Sequence, residues 1–386
     1  MARQINLGLL WHSDRSGNLG VGALTAGNIA LVRRAAVRAG VSVDFHIFQP
    51  RDPAKPYINE GIVGRHFITG RYMVSPGGFW KDIGKLDLML DIGAGDSFAD
   101  IYPDKRFAYI IGTKALCLAK GVPLLLSPQT IGPFTRQPHS WLAGLAMTRA
   151  QAVFARDPLS YAAIAVLAPG AKRHQAIDVA FALPYTPAPR GEGKRFGINV
   201  SGLLHSGGYA GSNQFGLTID YKLFTARLIE ALLARGDVSV ELFAHVTTSH
   251  ARDDDGAACD ALKARYPAVV RVPDFESPSA AKSWISGLDF VVAARMHASI
   301  AAWSSGVPVL PVSYSRKFEG LYKALDYPWL VPAKGLSTDE AVAKSLDAFD
   351  RRAEVKADIA RGAAAVESGL ETYVAYLAQL FRELAQ

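Results

Sequence analysis

The sequence predicts an α/β protein with two Rossmann-like domains whose parallel sheets face a cleft. Short apolar runs such as VPLLLS (122–127) and AVFAR (152–156) are typical of strands that a parallel sheet buries on both faces. Such runs alternate with helical patterns along nearly the whole chain, which is the arrangement of βα units. The alternation stops once, at the aperiodic stretch PYTPAPRGEGKR (184–195), and then starts again.

Length and composition agree with two domains. The chain has 386 residues, of which 49% are hydrophobic and 20% charged, so it is globular in composition and too long for one ordinary core. We expect an N-terminal domain over 1–186, a proline- and glycine-rich linker over 187–195, and a C-terminal domain over 196–386 that ends in helices. No apolar stretch is long enough to span a membrane and the N-terminus lacks a secretory signal, so we expect a cytoplasmic protein without a membrane span.

The net charge of +7 comes from the first half of the chain, where lysine and arginine outnumber the acidic residues, whereas the second half is nearly neutral. A basic half favours an anionic ligand, or an anionic acceptor at a membrane surface. No run of lysine and arginine is longer than two residues and no basic–aromatic motif occurs. We therefore do not expect a nucleic-acid partner.

Each predicted element has its own signal. In the first domain, apolar or alternating runs predict strands over 5–11, 41–48, 86–93, 122–127 and 152–156. In the second domain, similar runs predict strands over 196–202, 238–246, 269–275, 289–295 and 307–314. Helical periodicity with capping signals predicts helices over 22–39, 106–120, 157–167, 221–236 and 354–386, the last broken at Gly362 or Gly369. Ligands of such sheets bind beyond the carboxyl ends of strands, so polar residues at those ends are the candidates for function.

Three turns of the first domain follow predicted strands. In SDRSGNLGVGA (13–23), Asn18 and the Gly20 amide are placed to contact a ligand, although the glycine spacing fits neither a dinucleotide fingerprint nor a P-loop. Gly95 in DIGAGDSFAD permits close approach by a ligand or by neighbouring backbone. Gln129 in SPQTIGPF is placed to donate a hydrogen bond into the cleft, and a plain Gly-Pro turn is the alternative.

Arg156 in VFARDPLS ends a buried strand. A guanidinium near a core needs a compensating partner, because desolvation of an isolated charge is costly. That partner is either a carboxylate of the chain, Asp157 or Asp178, or an anionic group of a ligand.

The strongest signal is AARMHASIAAWSSG (293–306), in which Arg295 and His297 stand on a strand-to-helix turn. The next strand leads into SYSRKFEG (313–320), which carries Lys317. Two adjacent loops thus present cations and an imidazole at one edge, a pattern expected for an anionic substrate and an acid–base step.

One further loop, HVTTSHARDDDG (245–256), contains His245 at a predicted strand end, which makes it a candidate cleft residue. Asp253 and Asp255 have the spacing of a D-x-D metal motif. Acidic residues are also ordinary in the first turn of a helix, and no metal-ligand spacing of histidine or cysteine occurs, so we expect no metal site.

Several of these stretches occur in an order that resembles the polysaccharide pyruvyl transferase family. The matching stretches, from about residue 5 to 330, are GNLGVGAL, DIGAGDSF, SPQTIGPF, ARDPLS, DVAFALP, VAARMHASIAA and GVPVLPVSYSRKFEGL. The R-x-H-x-x-I element and the serial order are the specific features. The family commonly has an acidic residue where this chain has Val21.

The resemblance implies a GT-B-like pair of domains. It implies transfer of pyruvate from phosphoenolpyruvate to two hydroxyls of a sugar, free or lipid-linked, in a surface polysaccharide, an exopolysaccharide or its precursor, giving a cyclic ketal. No cofactor is implied. The acceptor is expected on the N-terminal domain and the donor on the C-terminal domain, in a protein at the inner face of the membrane.

Residue roles follow from the chemistry of the donor. His297 is the candidate acid that protonates the methylene carbon. Arg295 and Arg156 are assigned to the phosphate and carboxylate, with Lys317 as a supporting cation. Asn18 and Gly20 are assigned to acceptor hydroxyls or donor oxygens.

Two alternatives stay open at this point. The fold alone also permits a GT-B glycosyltransferase that uses a nucleotide sugar. Val21 at the usually acidic position motivates the other alternative, a sugar-binding homologue without catalytic activity.

Overall fold

In a computed structural model of the protein, which describes residues 3–189, 191, 193–209, 211–248 and 250–386, the chain forms two compact units. Unit 1 consists of the segment that ends at Ser16, of Leu24–Ala182 and of Val366–Gln386. Unit 2 consists of Gly17–Ala23 and Leu183–Ala365. Unlike the expected domains, these units exchange the glycine-rich turn near the N-terminus and the end of the last helix.

Unit 1 contains a seven-stranded parallel sheet with the order β3-β2-β1-β4-β5-β6-β7. Its strands are β1 (Gln4–Leu10), β2 (Ser42–Gln49), β3 (Ile62–Phe67), β4 (Leu88–Asp91), β5 (Leu124–Gln129), β6 (Ala152–Ala155) and β7 (Arg173–Gln175). The helices that begin before residue 170 are α1 (Leu19–Ala39), α2 (Gly70–Val74), α3 (Phe79–Ile83), α4 (Asp104–Lys120), α5 (His139–Arg149) and α6 (Pro158–Leu167). The first turn of α1 belongs to unit 2.

Unit 2 contains a six-stranded parallel sheet with the order β10-β9-β8-β11-β12-β13. Its strands are β8 (Lys194–Asn199), β9 (Val238–Phe243), β10 (Val270–Arg271), β11 (Phe290–Ala293), β12 (Val309–Ser313) and β13 (Val331–Pro332). The remaining helices are α7 (Gly202–His205), α8 (Tyr221–Leu233), α9 (Asp255–Arg265), α10 (Pro278–Ile285), α11 (Met296–Ser304), α12 (Arg316–Ala324), α13 (Thr338–Asp350) and α14 (Arg352–Ala385).

Every strand predicted from the sequence is present, with ends shifted by a few residues. The three strands that the sequence did not predict are β3, β7 and β13, and each lies at the edge of its sheet. An edge strand pairs on one side only and need not be buried on both faces, so it does not require a continuous apolar run. The polar sequence of β7, RHQ, is an example.

The break expected in the last helix at Gly362 or Gly369 was wrong, because α14 runs without interruption. Both glycines serve close packing instead. A methyl group on Gly362 would lie 2.8 Å from Cζ2 of Trp303, and one on Gly369 would lie 3.0 Å from Cβ of Ile177. The missing side chain lets each neighbour approach the helix backbone.

The predicted linker, 187–195, includes residues 190 and 192, which lie outside the described part of the chain. Its neighbourhood is anchored on α10, since the Thr186 and Ala188 amides donate to the hydroxyls of Ser283 and Ser286 at 3.0 and 2.8 Å. None of the helices in the described ranges combines the length and the apolar character that a bilayer crossing needs.

Candidate active site

The strand order of unit 2 places its topological switch point between β8 and β11, where ligands of doubly wound sheets usually bind. Asn199 is the last residue of β8, and Arg295 follows β11 by two residues. The Arg295 amide donates to Oδ1 of Asn199 at 2.8 Å. This bond ties the backbone of the arginine turn to the neighbouring strand end.

The helix after this turn, α11, is rigidly held. Ile300 is fully buried and Trp303 is 3% exposed, as its alanine-rich apolar sequence predicted. Arg295 occupies the N-cap position with extended backbone and makes no side-chain cap. His297 is therefore the second helical residue, and its imidazole is half-buried.

Two carboxylates hold the Arg295 guanidinium. Nε donates to both carboxylate oxygens of Asp255 at 3.1 and 3.2 Å, and Nη2 donates to Asp255 at 2.6 Å and to Asp253 at 2.7 Å. Among the described residues, Nη1 makes no hydrogen bond. Burial acts to lower the pKa of Arg295, but the facing Asp255 carboxylate raises it above its ordinary value.

Asp255 is fully buried at the start of α9. It also accepts hydrogen bonds from the backbone amides of Gly202, His245 and Val246 at 2.8, 3.1 and 2.9 Å. Burial raises the pKa of Asp255, while Arg295 and the amides act in the opposite direction. Asp255 thus connects the ends of β8, β9 and β11.

The glycine-rich turn before α1 packs on the end of β9. Asn18 forms an antiparallel bridge with Val246, and the Thr247 amide donates to the Gly17 carbonyl at 2.9 Å. A side chain at Gly17 would place Cβ 2.1 Å from the Thr247 carbonyl oxygen, so only glycine fits. Oδ1 of Asn18 accepts from the Gly20 amide at 3.0 Å, which makes Asn18 the N-cap of α1.

Gly20 lies directly against the imidazole of His297. A Cβ built on Gly20 would be 2.4 Å from Nδ1 of His297, a distance that no real side chain tolerates. The absence of a side chain therefore sets the position of the imidazole beside the first turn of α1. Val21, at the position that is commonly acidic, is the next residue of that turn and is half-buried.

His245 follows β9 and is 2% exposed. Burial, together with positive charge on His297 and Arg295, lowers the pKa of His245 to about 3. His245 is therefore neutral at physiological pH. Its carbonyl accepts from the Leu19 amide at 3.1 Å, which fixes the glycine-rich turn further.

Lys317 lies in the first turn of α12, which follows β12, the strand next to β11. It is half-buried. The Tyr322 hydroxyl of α12 donates to the Ser299 hydroxyl of α11 at 2.7 Å, and both residues are buried. This hydrogen bond fixes the two helices relative to each other.

The remaining predicted residues lie together in unit 1. Arg156 is 4% exposed, and Nη1 donates to Asp178 at 2.7 Å while Nε donates to Thr130 at 3.0 Å. Asp178 is thus the internal partner, and Asp157 instead caps α6 through the Ser160 amide at 2.8 Å. The sequence had left both aspartates open.

Gly95 and Gln129 border this arginine. A Cβ on Gly95 would lie 3.6 Å from Nη1 of Arg156, and the Thr130 amide donates to the Gly95 carbonyl at 2.9 Å. Gln129 was expected to donate a hydrogen bond into the cleft. It is instead fully buried and donates to the Asp91 carbonyl at 2.8 Å. The alternative Gly-Pro turn, at Gly132–Pro133, contains a cis peptide bond.

The predicted site residues therefore fall into two groups. Asn18, Gly20, His245, Arg295 and His297 come together in unit 2, and Gly95, Gln129 and Arg156 come together in unit 1. Lys317 also belongs to unit 2, in the first turn of α12. Sequence reasoning missed the carboxylates that hold Arg295. Their spacing was noticed as a metal motif, whereas in the structure both aspartates bind the guanidinium.

Solved structures share this architecture at low sequence identity. A candidate UDP-N-acetylglucosamine 2-epimerase from Listeria monocytogenes superimposes with a TM-score of 0.62 at 10% identity, over 98% of this chain and 97% of that one. HepE from Anabaena, solved in complex with UDP-glucose, gives 0.58 at 13% identity, over 98% and 100%. The UDP-GlcNAc 2-epimerase of Neisseria meningitidis, bound to UDP-GlcNAc, gives 0.57 at 10% identity, over 97% and 100%. These likenesses show the GT-B fold.

Sequence comparison identifies the family. No curated protein sequence matches the chain significantly. The profile of the family described as "Polysaccharide pyruvyl transferase" matches residues 18–316, a range that includes Asn18 and Gly20 of the glycine-rich turn as well as Arg295 and His297. The protein is therefore a member of the polysaccharide pyruvyl transferase family.

Proposed function

We propose that the protein transfers pyruvate from phosphoenolpyruvate to two hydroxyls of a sugar and forms a cyclic ketal. The observation that carries the proposal is the meeting, at the switch point of unit 2, of the R-x-H turn with the glycine-rich turn. Gly20 lies against the His297 imidazole, and Arg295 is anchored two residues before it. Family membership supports the same reaction class.

Donor binding needs cations, because phosphoenolpyruvate carries a phosphate and a carboxylate. We assign Arg295 to one of these groups through Nη1, since its other two nitrogens are held by Asp253 and Asp255. Lys317, at the neighbouring helix start, is assigned as a supporting cation. Arg156, in unit 1, keeps Nη2 without a hydrogen bond among the described residues and is assigned to an anionic group of a ligand there.

The reaction starts with proton transfer from His297 to the methylene carbon, which converts C2 into an oxocarbenium-like centre. One sugar hydroxyl attacks C2 and loses its proton. The bond from C2 to the phosphate oxygen then breaks, and the second hydroxyl attacks C2 and loses its proton. One of these two protons restores His297 and the other leaves with phosphate, so the products are the ketal and hydrogen phosphate.

We favour His297 over the neighbouring His245 as the acid. His245 is neutral and buried, so it is a poor proton donor at physiological pH. Position at a helix N-terminus disfavours an imidazolium, whereas a bound dianion favours it. We therefore expect donor binding to raise the pKa of His297, which an NMR titration with and without phosphoenolpyruvate measures; no upward shift would contradict the acid role.

We place the acceptor on a surface polysaccharide or exopolysaccharide, or on its lipid-linked precursor, and the protein in the cytoplasm at the inner face of the membrane. The basic first half of the chain supports an anionic acceptor or surface. We propose that the reaction needs no cofactor or metal, because a proton donor and cations suffice for it.

Ligand binding and phosphate release test the proposal together. We expect phosphoenolpyruvate to raise the melting temperature, and UDP-glucose and UDP-GlcNAc to leave it unchanged. We also expect inorganic phosphate to be released from phosphoenolpyruvate only when a sugar acceptor is present. Stabilisation by a nucleotide sugar alone would favour a glycosyltransferase. Stabilisation without phosphate release from any acceptor would favour the non-catalytic homologue that Val21 motivates.

A further inference from the structure

The turn between β12 and α12 contains two buried hydroxyls. Ser313 is the last residue of β12 and is 4% exposed. Ser315 is the N-cap of α12, and its hydroxyl is also removed from solvent. Within the described ranges, neither hydroxyl has a hydrogen-bond partner.

This is an unusual state for serines at such positions. An N-cap serine ordinarily accepts a hydrogen bond from an amide of the first helical turn, as Ser277 does from Ala280 in α10 at 3.1 Å. Ser315 makes no such bond. Buried hydroxyls without partners cost free energy in a native protein, so two in one turn need an explanation.

The turn lies beside the proposed reaction site. Ala293 of β11 is paired in register with Pro311 of β12. Arg295 and Ser313 each follow their paired residue by two positions, and neighbouring strands run about 4.8 Å apart. Tyr314, the residue after Ser313, is near enough to act electrostatically on Arg295.

Charge at the turn is also favourable for an anion. The nine-residue helix α12 directs the positive end of its dipole toward the turn. Lys317 and Arg316 lie in its first turn, where Glu319 is the acidic residue and is exposed. The hydrogen bond from Tyr322 to Ser299 holds this helix start next to that of α11.

We propose that the turn Ser313–Lys317 binds a phosphate group, with the hydroxyls of Ser313 and Ser315 donating to phosphate oxygens. The inference rests on the proposed function, because it makes this turn the place where the donor phosphate sits and from which inorganic phosphate leaves. The ligand is either the phosphate ester or free phosphate. Arg295 then remains for the carboxylate of the donor.

Calorimetric titration of the full-length protein tests the site, with inorganic phosphate, phosphoenolpyruvate and pyruvate as separate probes. In the variant Ser313→Ala/Ser315→Ala we expect at least tenfold weaker binding of inorganic phosphate and of phosphoenolpyruvate, and unchanged binding of pyruvate, which lacks the phosphate. Weaker binding of phosphoenolpyruvate alone would show that the turn takes the ester and not free phosphate. Unchanged binding of both phosphate ligands would overturn the inference.

The matched control is Ser304→Ala/Ser305→Ala, whose hydroxyls bond to carbonyls within α11 at 2.7 and 2.8 Å. It removes the same atoms from the same unit, and we expect wild-type binding. The ligand-free melting temperature of the Ser313→Ala/Ser315→Ala variant should be unchanged, because no hydrogen bond is lost. If that variant does not fold, the single variant Ser315→Ala is used instead, and we expect it to bind phosphate at least threefold more weakly. Ser315→Thr keeps a hydroxyl and should bind phosphate as the wild type does.

Failure of this inference is distinguishable from failure of the proposed function. If the wild type releases phosphate only with an acceptor, but binds phosphate equally well without the two serine hydroxyls, the proposed function holds and the proposed phosphate site is wrong. If phosphate binding depends on the two serine hydroxyls but phosphoenolpyruvate is never turned over, the phosphate site holds and the proposed function is wrong.

Discussion

Both units place an arginine at the carboxyl end of a parallel strand, yet the surroundings of Arg156 and Arg295 differ. Arg156 is 4% exposed and faces one buried carboxylate, Asp178. Arg295 is less buried and is held by two carboxylates, Asp255 and Asp253, the second of which is 17% exposed. The first pair is neutral in itself, and the second cluster carries an excess negative charge.

The difference leads us to expect the chemistry at Arg295. Arg156 and Asp178 form a neutral buried pair, in which the two desolvated charges compensate each other. The Arg295 cluster has one negative charge more than its guanidinium compensates, and His297 and Lys317 belong to the same unit. Each unit contains a neutral buried histidine, which is His12 in unit 1 and His245 in unit 2. Unit 2 also contains the half-buried His297, which lies against Gly20.

The largest effect is expected at His297. We expect His297→Ala to lower the rate of phosphate release about a thousandfold, or about 4 kcal/mol, because loss of a general acid has effects of this size. Circular dichroism and the melting temperature should stay as in the wild type. The control is His250→Ala, which removes an exposed imidazole of the same unit. Loss of less than tenfold would mean that another group delivers the proton.

The buried ion pairs give the next largest effect. We expect Asp178→Asn in unit 1 and Asp255→Asn in unit 2 each to lower the free energy of unfolding by about 3 kcal/mol, since each leaves a buried guanidinium undercompensated. Asp253→Asn should cost less than about 1 kcal/mol, because its partner keeps Asp255. Urea unfolding at neutral pH measures all three. Equal losses for Asp253 and Asp255 would remove the distinction between the two carboxylates.

A variant at Gly20 tests whether the position of the His297 imidazole matters. In Gly20→Ala the new methyl group would meet Nδ1 of His297, so we expect activity to fall about 30-fold, or about 2 kcal/mol, as the imidazole shifts. The matched control in unit 1 is Gly112→Ala in α4, where the nearest atom is Cε of Met73 at 3.1 Å, the end of a flexible side chain. That variant should keep full activity. Activity of Gly20→Ala close to that of the control would show that the imidazole position is not critical.

Both units should also lose stability at acidic pH, by a smaller amount for each histidine than for the variants with a lost buried ion pair or a displaced imidazole. Burial lowers the pKa of both His12 and His245 to about 3, whereas an unfolded histidine titrates near 6.5. Below pH 6.5 the unfolded chain binds protons that the folded units exclude, so stability falls as pH decreases toward 3. At pH 5.5 each histidine contributes a loss of about 1.4 kcal/mol relative to neutral pH.

Urea unfolding of the wild type at pH 7.5 and 5.5 measures this loss. The variants His12→Gln and His245→Gln should each show a smaller difference between the two pH values. A wild type equally stable at both would contradict neutral burial of these histidines. A change that only one variant reduces would assign the effect to one unit.

Much of the fold was predictable from the sequence, because central strands of parallel sheets must be apolar. The edge strands β3, β7 and β13 were not, since pairing on one side removes that requirement. The continuity of α14 was also missed: Gly362 and Gly369 are read locally as helix breakers, but their role depends on Trp303 and Ile177, which are distant in sequence.

The sequence allowed the cationic residues of the candidate site to be predicted, but not the carboxylates that pair with Arg295. Arg295 and His297 stood out because polar residues in an apolar turn have few structural explanations. The two aspartates that hold Arg295 lie in the connection from β9 to α9, and β9 is two strands away from β11. A doubly wound strand order applied to the second half of the sequence would have brought that loop to the switch point. The contact of Gly20 with His297 had no local signal, because it joins residues far apart in the chain.

Analysis of polysaccharide from cells tests whether the protein transfers pyruvate to a sugar. The gene is deleted from its host and replaced by the wild-type, His297→Ala or His250→Ala form, and the purified polysaccharide is examined by mass spectrometry and NMR for a pyruvate ketal. We predict the ketal with the wild type and with His250→Ala, and its absence after deletion and with His297→Ala. A polysaccharide that carries the same ketal after deletion, or with His297→Ala, would contradict the account.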